Sequence, residues 1–443
     1  MKSFSSFGPL FLLFTFEFLL LTSCSVSNKI SKSARNTILT AAPLKTAHIG
    51  ISIYDPETGK YLYNYQGDKY FVPASNTKIP TCYAAMKYLG DSLVGLRYAY
   101  TKVEQGRNKG DTVLGIIPTA DPTFLHGDFT VQPVLNFLQS RVVGHNYTVG
   151  IIDTIWQSNH WGSGWSWSDY DADYLAERSP MPIYGNLIDV SINPLGKRQL
   201  SEVNLPDGGN TRFFFKTQNS YFDSLVNHHL FDYISKSNFN SKDPKVEVKR
   251  DFYSNQFSFQ ESDKAFKPRS VPFITNGLNG TLDFIRSSFQ IYPIPLVNSY
   301  NNPGKNNFLA KYGSMHFSEI SITDWNIIHS QPTDSLLKPM MHRSDNFFAE
   351  QSLLMVSNEH LGIMSDSKII DTLLKTDFKD LPQKPRWADG SGLSRYNLFT
   401  PQDFVTILNK MKNEFGMERI KTIFPTGGEG TISSYYKAGN GYI

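Results

Sequence analysis

The chain has 443 residues, 40% of them hydrophobic and 14% aromatic, enough apolar material for a large core and two or three domains, which excludes a disordered or fibrous chain. Lys and Arg number 43 against 40 Asp and Glu, a net charge of +3. With no long basic run there is no electrostatic footprint for nucleic acid, and no nucleic-acid partner is expected.

At the N-terminus Lys2 supplies positive charge, Leu10 to Leu21 is mostly Leu and Phe with Glu17 interrupting it, and small residues follow. This is the order of a cleaved export signal over residues 1–23, and the run falls short of the roughly 20 apolar residues of a spanning helix. Leu21-Thr22-Ser23-Cys24 resembles a bacterial lipobox, so Cys24 is expected to carry lipid and anchor the chain to the envelope without a span, on the periplasmic side. An ordinary signal with an incidental cysteine is the alternative. Cys82 is then the one cysteine left, so no internal disulfide can form; among Tyr83, Ala84, Ala85 and Met86 it reads as core.

Residues 24–45 are rich in Ser, Asn and Lys and read as a flexible tether. Ile49, Ile51 and Ile53 alternate with small or polar residues, Asp55-Pro56-Glu57-Thr58-Gly59 makes a turn, and Tyr61, Tyr63 and Tyr65 alternate again. That pattern predicts an antiparallel hairpin. A helix is expected from Ser75 through Leu89, ended by Gly90. Residues 46–93 thus form the first part of one domain. Residues 94–272, with short Val, Ile, Tyr and Phe segments between Gly, Asn, Asp and Pro, read as a mainly β insertion. Within it Trp156, Trp161, Trp165 and Trp167 crowd around Gly162 and Gly164, a structural corner in preference to a sugar-stacking platform. Residues 273–443 resume the first domain. Helices are expected at Thr281–Phe289, at Asn346–Val356, and after Thr400-Pro401, where threonine caps and proline takes the first helical position.

The chemistry starts at Ser75-Asn76-Thr77-Lys78. A serine hydroxyl needs a base to take its proton, and a lysine three residues on shares its helix face. Lys78 can accept a proton only when neutral, which requires burial or a second cation nearby. Helix-start amides at Ser75 would help hold negative charge. Ser344-Asp345-Asn346, 269 positions downstream, could be a helix N-cap, a second catalytic element, or both. Ten histidines show no His-Glu-x-x-His or comparable spacing, so no metal and no organic cofactor is expected.

The hairpin, Pro73-Ala74-Ser75-Asn76-Thr77-Lys78, the long insertion, Ser344-Asp345-Asn346 and then Asp389-Gly390-Ser391-Gly392-Leu393-Ser394-Arg395-Tyr396-Asn397 resemble the D-alanyl-D-alanine carboxypeptidase/endopeptidase family, the class C low-molecular-mass penicillin-binding proteins. Asp121-Pro122-Thr123 and Gly164-Trp165-Ser166-Trp167 with Asp169 and Tyr174 are similar to two further stretches of that family. The resemblance runs from about Thr46 to the C-terminus. It implies a serine β-lactamase/transpeptidase-like α/β sandwich, interrupted by the insertion between the first and second motifs. It further implies an acyl-enzyme on Ser75 formed from peptidoglycan stem peptides or from β-lactams. Lys78 would be the base, Ser344 a proton relay toward the leaving group, and Asn346 a partner of Lys78 and of the substrate amide. Asp345, Ser391 and Gly392 would contact substrate.

The family's third motif, Lys-Thr-Gly, should follow Glu429-Gly430-Thr431, where this chain has Lys437-Ala438-Gly439 without the hydroxyl residue. The expectation is that the chain stops just short of the motif. It would then lack the second cation that depresses Lys78, a grip on the substrate carboxylate and an oxyanion donor, and would be inactive as it stands. A cell-wall-binding module that no longer catalyses, a serine β-lactamase and an esterase are the alternatives.

Overall fold

The computed structural model describes residues 26–102, 110–142, 148–152, 154–191, 214–216, 233–236, 248–259, 269–289, 294–297, 315–316 and 325–435. The leader, Cys24 and Lys437-Ala438-Gly439 lie outside the described residues.

The segment expected to be a tether is instead helical. Residues 26–34 form α1, which passes into a π-type turn at Arg35–Leu39. Val26, Ile30, Ala34 and Ile38 recur at four-residue spacing, the helical period that the polar composition hides. The Ser27 hydroxyl donates to the Leu62 carbonyl at 2.7 Å, docking α1 on the hairpin behind it. Strands β1 (Ile51–Asp55) and β2 (Lys60–Tyr65) pair antiparallel as expected. Asp55 shapes their turn by accepting from the Glu57 amide at 3.0 Å and the Thr58 hydroxyl at 2.8 Å.

Helix α2 (Lys78–Tyr88) follows a 3-10 turn at Ala74–Thr77. Pro80 is thereby placed at the third helical position, where its missing N–H would have had no partner in the helix. Residues Pro80 to Met86 are buried, with Cys82 in the core at 0% exposure; burial pushes its thiol well above the ordinary range.

From α2 the chain enters the insertion at Asp91 and leaves it at Thr333, whose amide donates back to the Asp91 carbonyl at 3.0 Å. In between lie β3 (Ser92–Lys102), β4 (Thr112–Pro118), α3 (Pro133–Val142), β5 (Thr148–Ile152), β6 (Leu187–Ser191), β7 (Phe214–Lys216), β8 (Tyr233–Lys236), β9 (Val248–Arg250), β10 (Gln256–Phe259), β11 (Arg269–Pro272), α4 (Asn279–Phe289), β12 (Ile294–Val297), β13 (Met315–His316) and β14 (Asn326–Pro332). Six strands make one sheet in the order β13-β12-β5-β4-β3-β14. Two three-stranded sheets, β11-β6-β7 and β8-β10-β9, accompany it. This corrects the expected boundary at 272. Strand β12 pairs with β5 and β14 with β3, so the insertion's own sheet runs on to Pro332. The region is mainly β as expected, with two helices not expected within it; β4 and β5 are parallel, and parallel neighbours need a crossover, supplied here by α3. Val134, Leu135, Phe137 and Leu138 of α3 join Leu282 and Ile285 of α4 in the insertion's own core.

Helices α5 (Thr333–His342), α6 (Asn346–Leu361), α7 (Asp366–Lys375), α8 (Pro401–Phe415) and α9 (Met417–Ile423) return to the first core. Every residue of α6 from Phe347 to Asn358 is buried, so α6 is the central post against which α2 packs. Gln351 of α6 holds the insertion, its amide donating to the carbonyls of Ala120 and Ser179, both at 2.9 Å. Thr400 caps α8 in a reciprocal pair with Asp403. No helix among the described residues is long and apolar enough to cross a membrane.

Candidate active site

Ser75 lies exposed in the 3-10 turn, preceded by Ala74 at φ 47°. Lys78 opens α2 and points inward, 1% exposed. Its ammonium donates to three oxygens: Asn346 Oδ1 at 2.6 Å, the Ser391 carbonyl at 2.9 Å and Ser75 Oγ at 3.3 Å. Those three partners come from three separate segments, so the lysine knots the first motif, the second motif and the glycine-rich loop together. Burial lowers its pKa to about 8, against the opposing pull of Glu350, Asp345 and Asp389. The sequence leaves burial or a second cation open as the means of lowering this pKa; among the described residues burial is the cause.

In the second motif Ser344 is half-buried at φ 58°, in the link between α5 and α6. Asp345 caps α6, its carboxylate accepting from the Phe348 amide at 2.9 Å and lying 3.6 Å from Arg343. The helix-cap reading of this tripeptide therefore falls on Asp345, whose carboxylate accepts from its own helix. Asn346 alone of the three reaches Lys78, and its amide nitrogen donates to the Tyr174 carbonyl of the insertion at 3.1 Å.

The loop from Asp389 to Asn397 is built around one carboxylate. Asp389 is fully buried and accepts from the Gly392 amide at 2.9 Å, the Asn397 side chain at 2.7 Å, the Ser394 amide at 2.6 Å and the Trp165 indole at 2.9 Å. The direct substrate contact expected of Ser391 and Gly392 does not fit their placement. Ser391 is 1% exposed and offers its carbonyl to Lys78. Gly392, at φ 90°, presses on the nucleophile turn so closely that a Cβ there would lie 1.8 Å from the Ala74 carbonyl oxygen. Ser391 thus packs on Lys78 and Gly392 on the turn that carries Ser75.

Sequence reasoning missed the charges behind this loop. Glu350, one helical turn after Asn346 on α6, is 1% exposed; its Oε1 accepts from the Ser391 amide at 2.8 Å and its Oε2 lies 3.2 Å from the Arg178 guanidinium. Burial and the like charge of Asp389 push Glu350 up to about 7, with Arg178 and the Ser391 bond working the other way. Arg178, from the insertion, is equally buried, bonds Asp366 of α7 at 2.7 Å and lies over the Trp165 ring at 5.4 Å. Asp366 stays below the usual carboxylate range because Arg178 and Ser158 outweigh its own burial. A signal for Glu350 existed, an acidic residue at four-residue spacing from Asn346, on the same helix face. For Arg178 nothing local in the sequence signals burial. Of the tryptophans, Trp165 is a structural corner as expected, while Trp167 stands 69% exposed.

A serine, a buried low-pKa lysine and an asparagine from a second helix, set between a helical unit and an inserted sheet, are the makings of a serine acyl-transfer enzyme. Comparison with known proteins gives the class its family. The sequence matches the D-Ala-D-Ala carboxypeptidase 3 (S13) family over residues 32–222 and 326–441. It is 21% identical over 407 residues to the D-alanyl-D-alanine carboxypeptidase DacB of Haemophilus influenzae, covering 87% of this chain and 76% of that one. In fold it is similar to the crystal structure of penicillin binding protein 4 from Haemophilus influenzae, with TM-score 0.58 and 19% identity, covering 87% of this chain and 80% of that one. The same protein complexed with a β-lactam gives TM-score 0.52, 18% identity and coverages of 87% and 78%. The chain belongs to the D-Ala-D-Ala carboxypeptidase 3 (S13) family. It is a serine peptidase of the penicillin-binding class, with the transpeptidase-like α/β fold, and acts on peptidoglycan.

Proposed function

We propose that Ser75 is the residue acylated in this reaction and Lys78 the base that activates it, in hydrolysis of the terminal D-Ala-D-Ala of peptidoglycan stem peptides. The observation that carries this is the buried ammonium of Lys78, 3.3 Å from Ser75 Oγ. With a pKa of about 8, roughly a tenth of Lys78 is neutral at pH 7. Neutral Nζ takes the hydroxyl proton as Oγ attacks the penultimate D-Ala carbonyl. The tetrahedral oxyanion forms at the start of the 3-10 turn, where backbone N–H groups have no partner within the helix. Its collapse breaks the C–N bond, the departing amine of the terminal D-Ala takes the proton from Lys78, and the acyl group stays on Ser75. Water then attacks the ester, passing its proton to the same lysine. Asn346 keeps Nζ aimed at Oγ and offers its amide to the substrate. A β-lactam acylates the same oxygen. Release of D-Ala from a soluble pentapeptide, lost in Ser75→Ala with the fold intact by circular dichroism, is the expected outcome. Undiminished release by that variant would refute the assignment.

The order of Lys2, the apolar run and Leu21-Thr22-Ser23-Cys24 supports export to the periplasmic side, with lipid on Cys24 holding the enzyme near its polymer. Metabolic labelling with a fatty acid should mark the parent and not Cys24→Ser; equal labelling of both would remove Cys24 from that role.

A further inference from the structure

We propose that Glu350 is a positioning residue for the base: it fixes the backbone of Ser391 so that the Ser391 carbonyl grips Lys78, and its charge, shared with Arg178, sets how readily Lys78 gives up its proton. The inference rests on the assignment of Lys78 as base. Ser391 is held at both ends, its N–H by Glu350 at 2.8 Å and its carbonyl by Lys78 at 2.9 Å. The loop cannot slide between these points. The Thr81 hydroxyl donates to the Gly390 carbonyl at 2.7 Å, a Cβ on Gly390 would come within 2.7 Å of the Ala349 carbonyl, and Gly392 abuts Ala74. Glu350 is thus one residue of Ser391 away from the lysine ammonium, and in the low dielectric of a site this deeply buried its charge is felt strongly.

The charged groups around the pair come from every element packed on it. Lys78 of α2 faces Glu350 of α6, Asp345 at the α6 cap and Asp389 of the loop, all favouring its protonated form. Glu350 faces Asp389 and Asp366 of α7, which raise its pKa, and Arg178 of the insertion, which lowers it. Lys78 and Glu350 therefore titrate as a linked pair in neighbouring pH ranges. As pH rises, ionisation of Glu350 holds the proton on Lys78, so the fraction of free base grows more gradually than for an isolated lysine. Arg178 hydrogen-bonds both Glu350 and Asp366. By sharing Glu350's charge it makes the insertion, through its docking on α6, part of the setting of the base.

Glu350→Gln separates this role from scaffolding. Its amide oxygen still accepts from the Ser391 N–H, and the negative charge is gone. Acylation by a fluorescent penicillin, measured across pH, should show its midpoint displaced downward by about half a pH unit or more, the gain falling at about pH 7 and above, where Glu350 of the parent carries its charge, and fading below that, where the parent's glutamate is already neutral. A midpoint that stays in place or moves upward overturns the proposal, including the case of a uniform fall in rate, which is what a structural role alone produces. A second measurement depends neither on Glu350→Gln nor on catalysis. In the parent carrying 13Cε-lysine, the NMR signal of Lys78, assigned by its loss in Lys78→Met, should titrate in two steps, the first coincident with ionisation of a buried glutamate in 13Cδ-labelled protein. One simple step overturns the proposal. A parent whose Lys78 shows both steps but whose Ser75 takes no penicillin would leave the linkage standing and remove the assignment of Ser75.

Discussion

Gly392→Ala is expected to lower stability by about 3 kcal/mol or more and acylation by about a hundredfold or more. Two separate strains meet at this residue. Its φ of 90° lies where a side chain is disfavoured, and the added methyl would sit 1.8 Å from the Ala74 carbonyl oxygen and 3.0 Å from Thr77 Oγ1. The first neighbour is backbone and cannot swing aside, and the second is the hydroxyl of a fully buried, β-branched side chain. Relief must come from lifting the loop, which draws the Ser391 carbonyl away from Lys78, or from displacing the turn that carries Ser75. Misplacement of about 1 Å at a reacting group costs on the order of a hundredfold. Urea denaturation and the penicillin acylation rate check the two effects; a variant with the parent's values in both would show that the loop does not bear on the nucleophile.

Lys78→Met should separate rate from stability. Methionine is similar in length and apolar, so removing a largely desolvated cation relieves a cost, while Asn346 Oδ1 and the Ser391 carbonyl each lose a donor. These opposing changes are expected to leave stability within about 2 kcal/mol of the parent. The rate falls by about a thousandfold, the middle of the range for loss of a positioned general base. Thermal unfolding by calorimetry and the acylation rate give the comparison. A rate loss below about tenfold would mean that another group takes the serine proton.

How far the sequence could be read depended on whether a segment declares its own environment. The hairpin did, because Tyr61, Tyr63 and Tyr65 alternate beside a Gly-ended turn; so did α8, through Thr400 and Pro401, and α2 up to Gly90. Helix α1 did not, since its four-residue apolar spacing lies among Ser, Asn and Lys. Helix α3 was masked by an insertion whose other segments are short strands, and its crossover role is visible only once β4 and β5 are known to be parallel. In the site, the Ser75 and Lys78 pair was legible from spacing and type, and Asn346 through the family resemblance; the structure brings the three within hydrogen-bond reach of one another. The support was not. Asp389 reads as a loop aspartate until its four donors, one of them Trp165 from 224 residues upstream, are in view. Buried pairing of Arg178 with Glu350 and Asp366 is a long-range fact with no local signature.

The same contrast decides the matter of Lys78. Reasoning from motifs allowed burial or a second cation, and looked for the cation in a third element, because charge is what motifs display. Burial is a property of packing, and here helix α2, Asn346 of α6 and the Ser391 carbonyl enclose the ammonium closely enough to lower its pKa without that cation.

The most direct test of whether burial readies Lys78 to activate Ser75 is mass spectrometry of the protein after reaction with a penicillin, repeated across pH and mapped to its peptide. One adduct is expected, on Ser75, forming at a rate that rises with pH to a plateau with its midpoint at about 8. An adduct elsewhere, no adduct at any pH, or a rate still climbing toward the ordinary lysine range near 10.5 would contradict that role for burial.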